Sequence, residues 1–220
     1  MKRNIEIKYI AIEGVIGAGK TALAKKLSSH LDAKLILEQF ENNPFLEKFY
    51  ENRRRYAFQT QMFFLINRFK QQEEIKQEDL FTKYIISDYL FEKDRIFAYL
   101  NLQGDEFKLY ESIYPLLAKN IIKPDLVIYL QSKVDRLMYN IKKRGRDIEK
   151  SITRSYIEEL SEAYNHFFFT YNSTPLLIVN SSEIDFVNSE KDFEELYNQI
   201  FRTDRAPVEY FNPEPFGSIL

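Results

Sequence analysis

The eight-residue stretch GVIGAGKT, from Gly14 to Thr21, most constrains what this 220-residue chain can fold into. It matches the phosphate-loop pattern G-x-x-x-x-G-K-[ST], which requires a β-strand before it and a helix after it. Both neighbours are present, because an apolar run ends at Ile12 and helical apolar spacing begins at Lys20. The stretch therefore predicts a strand, a tight loop and a helix that together hold a nucleoside triphosphate.

The residue types in this loop predict how the triphosphate is held. Glycines let successive backbone N–H groups curl around a phosphate at the positive end of the helix. Lys20 would place a point charge between the β- and γ-phosphates, and the hydroxyl of Thr21 would join the Mg²⁺ shell. The loop residues that we predict to bind the nucleotide are Gly14, Gly17, Ala18, Gly19, Lys20 and Thr21.

Short apolar runs rich in β-branched residues alternate with longer helical patterns along the chain. This alternation predicts a parallel sheet with helices on both faces, so the expected fold class is α/β, with three α/β/α layers. The five predicted strands are Tyr9–Ile12, Leu35–Leu37, Tyr84–Ser87, Leu126–Leu130 and Leu176–Val179. The four predicted helices cover residues 20–31, 55–77, 105–121 and 155–171.

The length and the patterning favour one domain. A chain of 220 residues is large enough to bury a single α/β core. The proline-containing segment after Arg202 has no apolar periodicity. We therefore expect a single domain over residues 1–200 and an extended tail over residues 201–220.

Composition excludes several classes of partner. The formal net charge of −2 provides no basic surface for a nucleic acid polymer. No apolar run approaches the ~20 residues of a membrane span, and the N-terminus lacks the apolar core of a signal peptide. The absence of cysteine suits a reducing compartment. We expect a soluble cytoplasmic protein that binds neither membranes nor nucleic acid polymers.

The group that receives the phosphoryl must be sought outside the loop. The chain lacks the Asn-Lys-x-Asp motif with which a GTPase reads guanine. In open parallel sheets, ligands lie beyond the carboxyl ends of the strands, where Glu38 and Asp88 follow the second and third predicted strands. A hydroxyl acceptor needs a general base, and a second carboxylate can anchor Mg²⁺. These positions predict Glu38 as the base and Asp88 as a metal anchor beside Thr21.

From about Tyr9 to Ile200 the sequence resembles the deoxynucleoside kinases, particularly the bacterial members that prefer purines. The segments LEQFENNPFLEKFY, YAFQTQMFFLINRF and FEKDRIFA carry the resemblance to the acceptor site. It implies a P-loop kinase fold that uses ATP and Mg²⁺ to phosphorylate a deoxynucleoside, most favourably deoxyadenosine, with deoxycytidine or deoxyguanosine possible. The nucleoside-binding residues that it implies are Glu38, Tyr50, Gln61, Arg68 and Asp94, together with Glu149. It implies that Gln61 reads the base with a donor and an acceptor, and that Arg68 pairs with Asp94.

Two further segments resemble the phosphate and adenine sites of the same family. NIKKRGRDIEK resembles a short arginine lid, around residues 140–150, in which Arg144 and Arg146 would stabilise the transferred phosphoryl group beside Lys20. VNSSEIDFVNSE resembles the loop that holds the adenine of ATP, and it implies contacts from Asp185 and Phe186. Catalysis would thus depend on Glu38, Lys20 and the two lid arginines.

The sequence departs from the family pattern at two positions. Many members carry an acid–arginine pair after the third strand, whereas Asp88 is here followed by Tyr89. The first lid arginine is replaced by Asn140. The lost charge would be supplied by Arg95 from the next turn or by a lid cation, for which Lys142 and Lys143 are nearby candidates.

Other functions stay open on sequence alone. A thymidylate-type nucleoside monophosphate kinase would use cations such as Arg53, Arg54 and Arg55 to hold an acceptor phosphate. A regulatory protein could keep the nucleotide site without turnover. The broad apolar stripe of the helix over residues 55–77 could also form a homodimer contact.

Overall fold

Six parallel strands form one sheet, in the order β2-β3-β1-β4-β5-β6. The structure is a computed structural model, and it describes residues 7–78 and 83–213. The strands are β1 Tyr9–Gly14, β2 Lys34–Ile36, β3 Ile85–Ser87, β4 Leu126–Gln131, β5 Leu176–Asn180 and β6 Val208–Phe211. The helices are α1 Lys20–Leu31, α2 Leu46–Glu51, α3 Arg53–Glu78, α4 Lys93–Asn101, α5 Gly104–Ala118, α6 Val134–Arg144, α7 Arg154–Thr170 and α8 Glu190–Ile200.

The predicted three-layer α/β/α fold is confirmed, but the prediction of five strands is wrong. The sixth strand comes from the predicted tail, where Leu176 of β5 pairs with Val208 of β6. In β6 the side chain of Glu209 is buried, while Val208 and Tyr210 are exposed. A strand of four residues on the edge of the sheet shows little periodicity, so its sequence resembles that of a loop. Residues 214–220 of the predicted tail lie outside the described part of the chain.

The central strands explain why the phosphate loop sits where it does. All six residues of β1 are buried, because helices cover both faces of the parallel sheet. β1 lies between β3 and β4, and Gly14, at its end, pairs with Leu130. A side chain at Gly14 would lie 2.7 Å from the Leu130 carbonyl oxygen, so only glycine fits at this contact. The loop therefore leaves the middle of the sheet at the carboxyl ends of its strands.

The shorter helices α2, α4 and α6 bring further residues to the same edge of the sheet. α2 packs on α3, and α4 packs on α3 and α7. Residues 134–149 form α6 and a single 3-10 turn, Asp147–Glu149, separated by Gly145 at φ +64°. Within residues 7–78 and 83–213, no helix is both long enough and apolar enough to cross a membrane.

Candidate active site

The phosphate loop has the backbone of an anion cradle. Gly17 and Gly19 have φ values of +90° and +97°, which favour glycine. A side chain at Gly17 would also meet the Leu137 carbonyl oxygen of α6 at 2.7 Å. Lys20 lies folded over the loop, and its Nζ donates to the carbonyl oxygens of Gly14 at 2.6 Å and Val15 at 3.2 Å. The first turn of α1 thus presents a cation and backbone N–H groups at one place.

Asp88 connects the phosphate loop to the end of β2. The Thr21 hydroxyl donates to Asp88 Oδ2 at 2.5 Å, and the Glu38 backbone N–H donates to Asp88 Oδ1 at 2.7 Å. A hydroxyl and a carboxylate side by side suit Mg²⁺, which prefers oxygen ligands and binds through few protein groups alongside substrate phosphates. The two predicted metal residues therefore fit that ion, and their role stays a prediction.

Glu38 is held at both of its carboxylate oxygens by cations. Arg68 donates to Oε1 from Nε at 2.8 Å and from Nη2 at 2.6 Å. Lys93 Nζ donates to Oε2 at 2.8 Å. Burial alone would raise the pKa of Glu38, but the charges of Arg68 and Lys93 outweigh burial and lower it to about 2. Glu38 is therefore an ionised carboxylate in a fixed orientation.

The far end of the site is a buried cluster of polar side chains around Asp94. Gln61 Nε2 donates to Asp94 Oδ1 at 2.6 Å and to the Asp94 carbonyl oxygen at 2.9 Å. Tyr110 donates to the same Oδ1 at 2.7 Å, and Arg68 Nη1 donates to Oδ2. Burial raises the pKa of Asp94, and Arg68 opposes that shift. Because the amide nitrogen of Gln61 faces Asp94, its oxygen is the group left for a ligand.

This orientation changes one expectation from the sequence. The amide of Gln61 was expected to offer a donor and an acceptor to a base at once. In the structure both of its N–H bonds serve Asp94, so Gln61 contributes an acceptor, and Arg68 is the nearby group with donors. The expected pairing of Arg68 with Asp94 is present.

The lid arginines gather around one buried carboxylate. Arg144 binds Glu149 through Nε at 3.0 Å and Nη2 at 2.7 Å, and Arg146 Nη1 lies 3.5 Å from Glu149 Oε1. The guanidinium of Arg146 also lies 4.5 Å from the centre of the Phe40 ring. Glu149 is only 7% exposed, and Tyr50 faces the same cavity. In this arrangement Glu149 holds both arginines at the mouth of the site.

Two cavities meet at the phosphate loop. The inner cavity lies on the Glu38 side of the loop. The outer cavity lies on the other side of the loop. The inner cavity is lined by Lys20, Thr21, Glu38, Tyr50, Gln61, Arg68, Asp88, Lys93, Arg144, Arg146 and Glu149, among others. The outer cavity is lined by Gly17, Ala18, Gly19, Lys20, Thr21, Asn140, Arg144, Arg146, Asp185 and Phe186, among others.

The outer cavity is bordered by the segment predicted to hold adenine. Phe186 is 4% exposed and packs near Gly19, where an added side chain would lie 3.0 Å from the phenyl ring. Asp185 accepts hydrogen bonds from the backbone and side-chain nitrogens of Asn188, which fix the loop. Lys20, Thr21 and the two lid arginines line both cavities, so three cations lie where the cavities join.

The structure shows what the residues at and near the two missing arginines contact. Arg95 does not reach the site, because it bonds to the Tyr99 hydroxyl at 2.8 Å and pairs with Glu111 at 3.5 Å. Lys93, one turn after Tyr89, takes the contact with Glu38 instead. Asn140 donates to the Gly17 carbonyl oxygen at 2.8 Å and so ties α6 to the loop.

Sequence reasoning missed Lys93 and Glu13, and it named Asn140 without its contact to the loop. A lysine at the start of a helix usually lies in solvent, so nothing in the sequence indicates that Lys93 is buried. Glu13 could have been found from the sequence, because a charged residue inside an otherwise apolar strand must be paired when it is buried. Its carboxylate accepts from the backbone N–H groups of Gly14 and Leu90, each at 2.9 Å, and from the Tyr164 hydroxyl at 3.1 Å.

The phosphate loop borders two cavities. One cavity contains a fixed carboxylate, and arginines lie where the two cavities join. These features define a P-loop phosphotransferase that acts on a small molecule. The family model described as deoxynucleoside kinase matches residues 10–203. The chain therefore belongs to the deoxynucleoside kinase family and is an enzyme of that family, as the sequence resemblance implied.

Relatives of known activity agree with this assignment. The chain is 40% identical over 195 residues to the deoxyguanosine kinase of Bacillus subtilis, which covers 86% of this chain and 93% of the relative. It is 31% identical to the deoxyadenosine/deoxycytidine kinase of the same organism, over 87% of this chain and 90% of the relative. A solved structure of deoxyadenosine kinase from M. mycoides with bound dATP aligns with a TM-score of 0.78. That alignment has 28% identity and covers 89% of this chain and all of the other.

Proposed function

We propose that the protein transfers the γ-phosphoryl group of ATP to the 5′-hydroxyl of a purine deoxynucleoside, giving the 5′-monophosphate and ADP. The observation that carries this proposal is the position of Glu38 on the wall of the inner cavity that Lys20 and Thr21 also line. A carboxylate there can accept the proton of a hydroxyl that attacks a phosphate held on the loop. Three of its roughly four acceptor sites are occupied, and one on Oε2 is left for the hydroxyl.

The positions of the remaining site residues in the two cavities support the following roles. The loop and Lys20 hold the phosphates, and Arg144 and Arg146 supply positive charge where negative charge develops. Thr21 and Asp88 would hold Mg²⁺, which neutralises phosphate charge when bound. Asp185 and Phe186 border the adenine of ATP in the outer cavity, and Tyr50 and Glu149 face the sugar in the inner one.

The polar cluster around Asp94 favours a base edge that has a donor beside an acceptor. Gln61 offers an acceptor and Arg68 offers donors, so the matching base edge has a donor beside an acceptor. Guanine has N1–H beside O6, adenine has its N6 amino group beside N1 and N7, and cytosine has its N4 amino group beside N3. The choice of a purine therefore rests on the relatives rather than on this pattern. Deoxyguanosine is our first candidate because the deoxyguanosine kinase is 40% identical and the deoxyadenosine/deoxycytidine kinase only 31%. Deoxyadenosine, which the sequence resemblance favoured, is the second.

Steady-state kinetics with the four natural deoxynucleosides would test this preference. We expect the highest kcat/KM with deoxyguanosine, then deoxyadenosine, and much lower values for the pyrimidines. A higher value for deoxycytidine or thymidine than for both purines would contradict the proposed purine preference.

A variant at Gln61 would test the base site separately from the phosphates. We expect Gln61→Leu to lower kcat/KM for the preferred deoxynucleoside by about 10- to 100-fold, because the base loses an acceptor in a buried site. The KM for ATP should stay near its wild-type value. Gln59→Leu is the matched control, since Gln59 lies on the same helix and is exposed. Equal losses in both variants would remove Gln61 from the base site.

The three arginines that a monophosphate kinase would use to hold an acceptor phosphate do not line the inner cavity. The cations that do lie beside Glu38 are Arg68 and Lys93, and both are bound to carboxylates. Arg53 instead pairs with Glu159 at 2.9 Å, and Arg54 and Arg55 are exposed. Among the described residues that line the inner cavity, none of these three arginines is found.

We also propose that the protein acts in the cytoplasm as a homodimer. Large exposed apolar side chains support a subunit contact. Four of them, Tyr99, Leu109, Leu116 and Phe169, lie on α4, α5 and α7, and α3 contributes Ile66. Light scattering coupled to gel filtration should give about twice the monomer mass, and a monomer mass at micromolar concentration would contradict the dimer.

A further inference from the structure

Lys93 is a buried cation at the centre of the site. It is the first residue of α4, is 2% exposed, and lines the inner cavity with Lys20 and Glu38. Lysine is almost never fully buried unless it is paired, because an unpaired ammonium loses its hydration. Its burial therefore calls for a partner that keeps it charged, and two carboxylates are near.

The distances show which carboxylate Lys93 serves. Its Nζ lies 2.8 Å from Glu38 Oε2 and 3.9 Å from Glu13 Oε2. Glu13 is already supplied by three neutral donors. Glu38 Oε2, by contrast, has Lys93 as its hydrogen-bond donor, while Arg68 binds the other oxygen. The short contact with Glu38 is thus the functional one.

Tyr89 explains why the cation comes from the next turn of the chain. Its side chain is fully buried in a small apolar cluster with Tyr9, Ile75 and Ile85. The ammonium of Lys93 lies 6.0 Å from the centre of the Tyr89 ring. Because residue 89 is an aromatic side chain in this apolar cluster, the cation at Glu38 comes from Lys93 instead.

We propose that Lys93 is the positioning residue for the general base: it holds Oε2 of Glu38 so that this oxygen faces the acceptor hydroxyl. The inference rests on the proposed phosphorylation of a deoxynucleoside. Arg68 alone fixes one oxygen and leaves the carboxylate plane free to turn, whereas two cations from α3 and α4 fix both oxygens. A displacement of about 1 Å at a reacting group can cost about 10²-fold in rate.

The test compares three variants with the wild type. Lys93→Met keeps the length of the side chain and removes its charge, and we expect kcat to fall by about 10²-fold. The KM for ATP and the calorimetric Kd of the deoxynucleoside should change by less than about threefold, because Lys93 positions the general base Glu38 and does not hold either ligand. Lys93→Arg should recover at least about a tenth of the wild-type kcat. Arg95→Met is the matched control, and it should keep wild-type kinetics because Arg95 pairs outside the site.

A double variant separates positioning from a structural role. If Lys93 acts through Glu38, adding Lys93→Met to Glu38→Gln should lower the residual kcat by less than about threefold, since residues that act as a unit are not additive. A full further 10²-fold loss in that background would overturn the proposal. A kcat of Lys93→Met within about threefold of wild type would also overturn it. So would a loss of kcat that comes with weaker nucleoside binding and a lower thermal midpoint and that Lys93→Arg does not rescue. A wild-type protein that phosphorylates no nucleoside would overturn the proposed function itself and this inference with it.

Discussion

Glu38→Gln is expected to lower kcat by about 10²- to 10⁴-fold, the range that general base catalysis contributes. The amide keeps the shape of the carboxylate but cannot accept a proton from the 5′-hydroxyl. Nucleoside binding should change far less, because Arg68 stays bound to Asp94 and the base end of the inner cavity keeps its geometry. Single-turnover kinetics with saturating ATP, together with calorimetric binding of the deoxynucleoside, would measure both quantities.

The control for this experiment is Glu41→Gln. Glu41 lies three residues further along, in an exposed 3-10 turn, and its charge should not affect turnover. A near-normal kcat for the Glu38→Gln enzyme would show that Glu38 is not the general base. Loss of nucleoside binding in step with kcat would show instead that the carboxylate holds the substrate.

The second large effect is expected for Lys20→Met. The side chain of Lys20 bonds to the Gly14 and Val15 carbonyl oxygens and lines both cavities, so it stands where the transferred phosphate passes. Removal of one preorganised charge-stabilising donor costs about 10²- to 10³-fold in kcat, and we expect a loss of that size. The KM for ATP should rise as well, since a lysine of the phosphate loop also binds the ground state.

Lys108→Met is the matched control for charge removal. Lys108 is on the exposed face of α5 and pairs only with the neighbouring Asp105 in the described structure. The Kd of the deoxynucleoside, measured without ATP, should be unchanged in both variants. If Lys20→Met turned over at more than about a tenth of the wild-type rate, the phosphate loop would not hold the reacting phosphate.

The sequence predicted the parts of the site that depend on local geometry. The phosphate loop needs glycines with positive φ and a lysine at the start of a helix, and these requirements are written in a few adjacent residues. Glu38 and Asp88 were predictable because carboxyl ends of neighbouring parallel strands meet at one edge of the sheet. Asp88 indeed lies within hydrogen-bond distance of both Thr21 and the Glu38 backbone.

The parts that were not predicted depend on packing between distant segments. Lys93 looks like an ordinary helix-start residue, and only the approach of α4 to β2 brings it to Glu38. The orientation of the Gln61 amide depends on Asp94, 33 residues away. The sixth strand depends on an edge of β5 that is open to pairing, since four residues of β6 have no decisive pattern of their own. Each of these features arises from contacts that sequence periodicity does not encode.

The most direct test of the central claim is to identify the product formed from radiolabelled ATP. The enzyme would be incubated with [γ-³²P]ATP, Mg²⁺ and either deoxyguanosine, deoxyadenosine or their 5′-monophosphates, and the products separated against authentic 5′- and 3′-monophosphates. We predict label in the deoxynucleoside 5′-monophosphate, at a rate well above the enzyme-free background. Label only in a diphosphate made from the monophosphates, or no transfer to any nucleoside, would contradict this account.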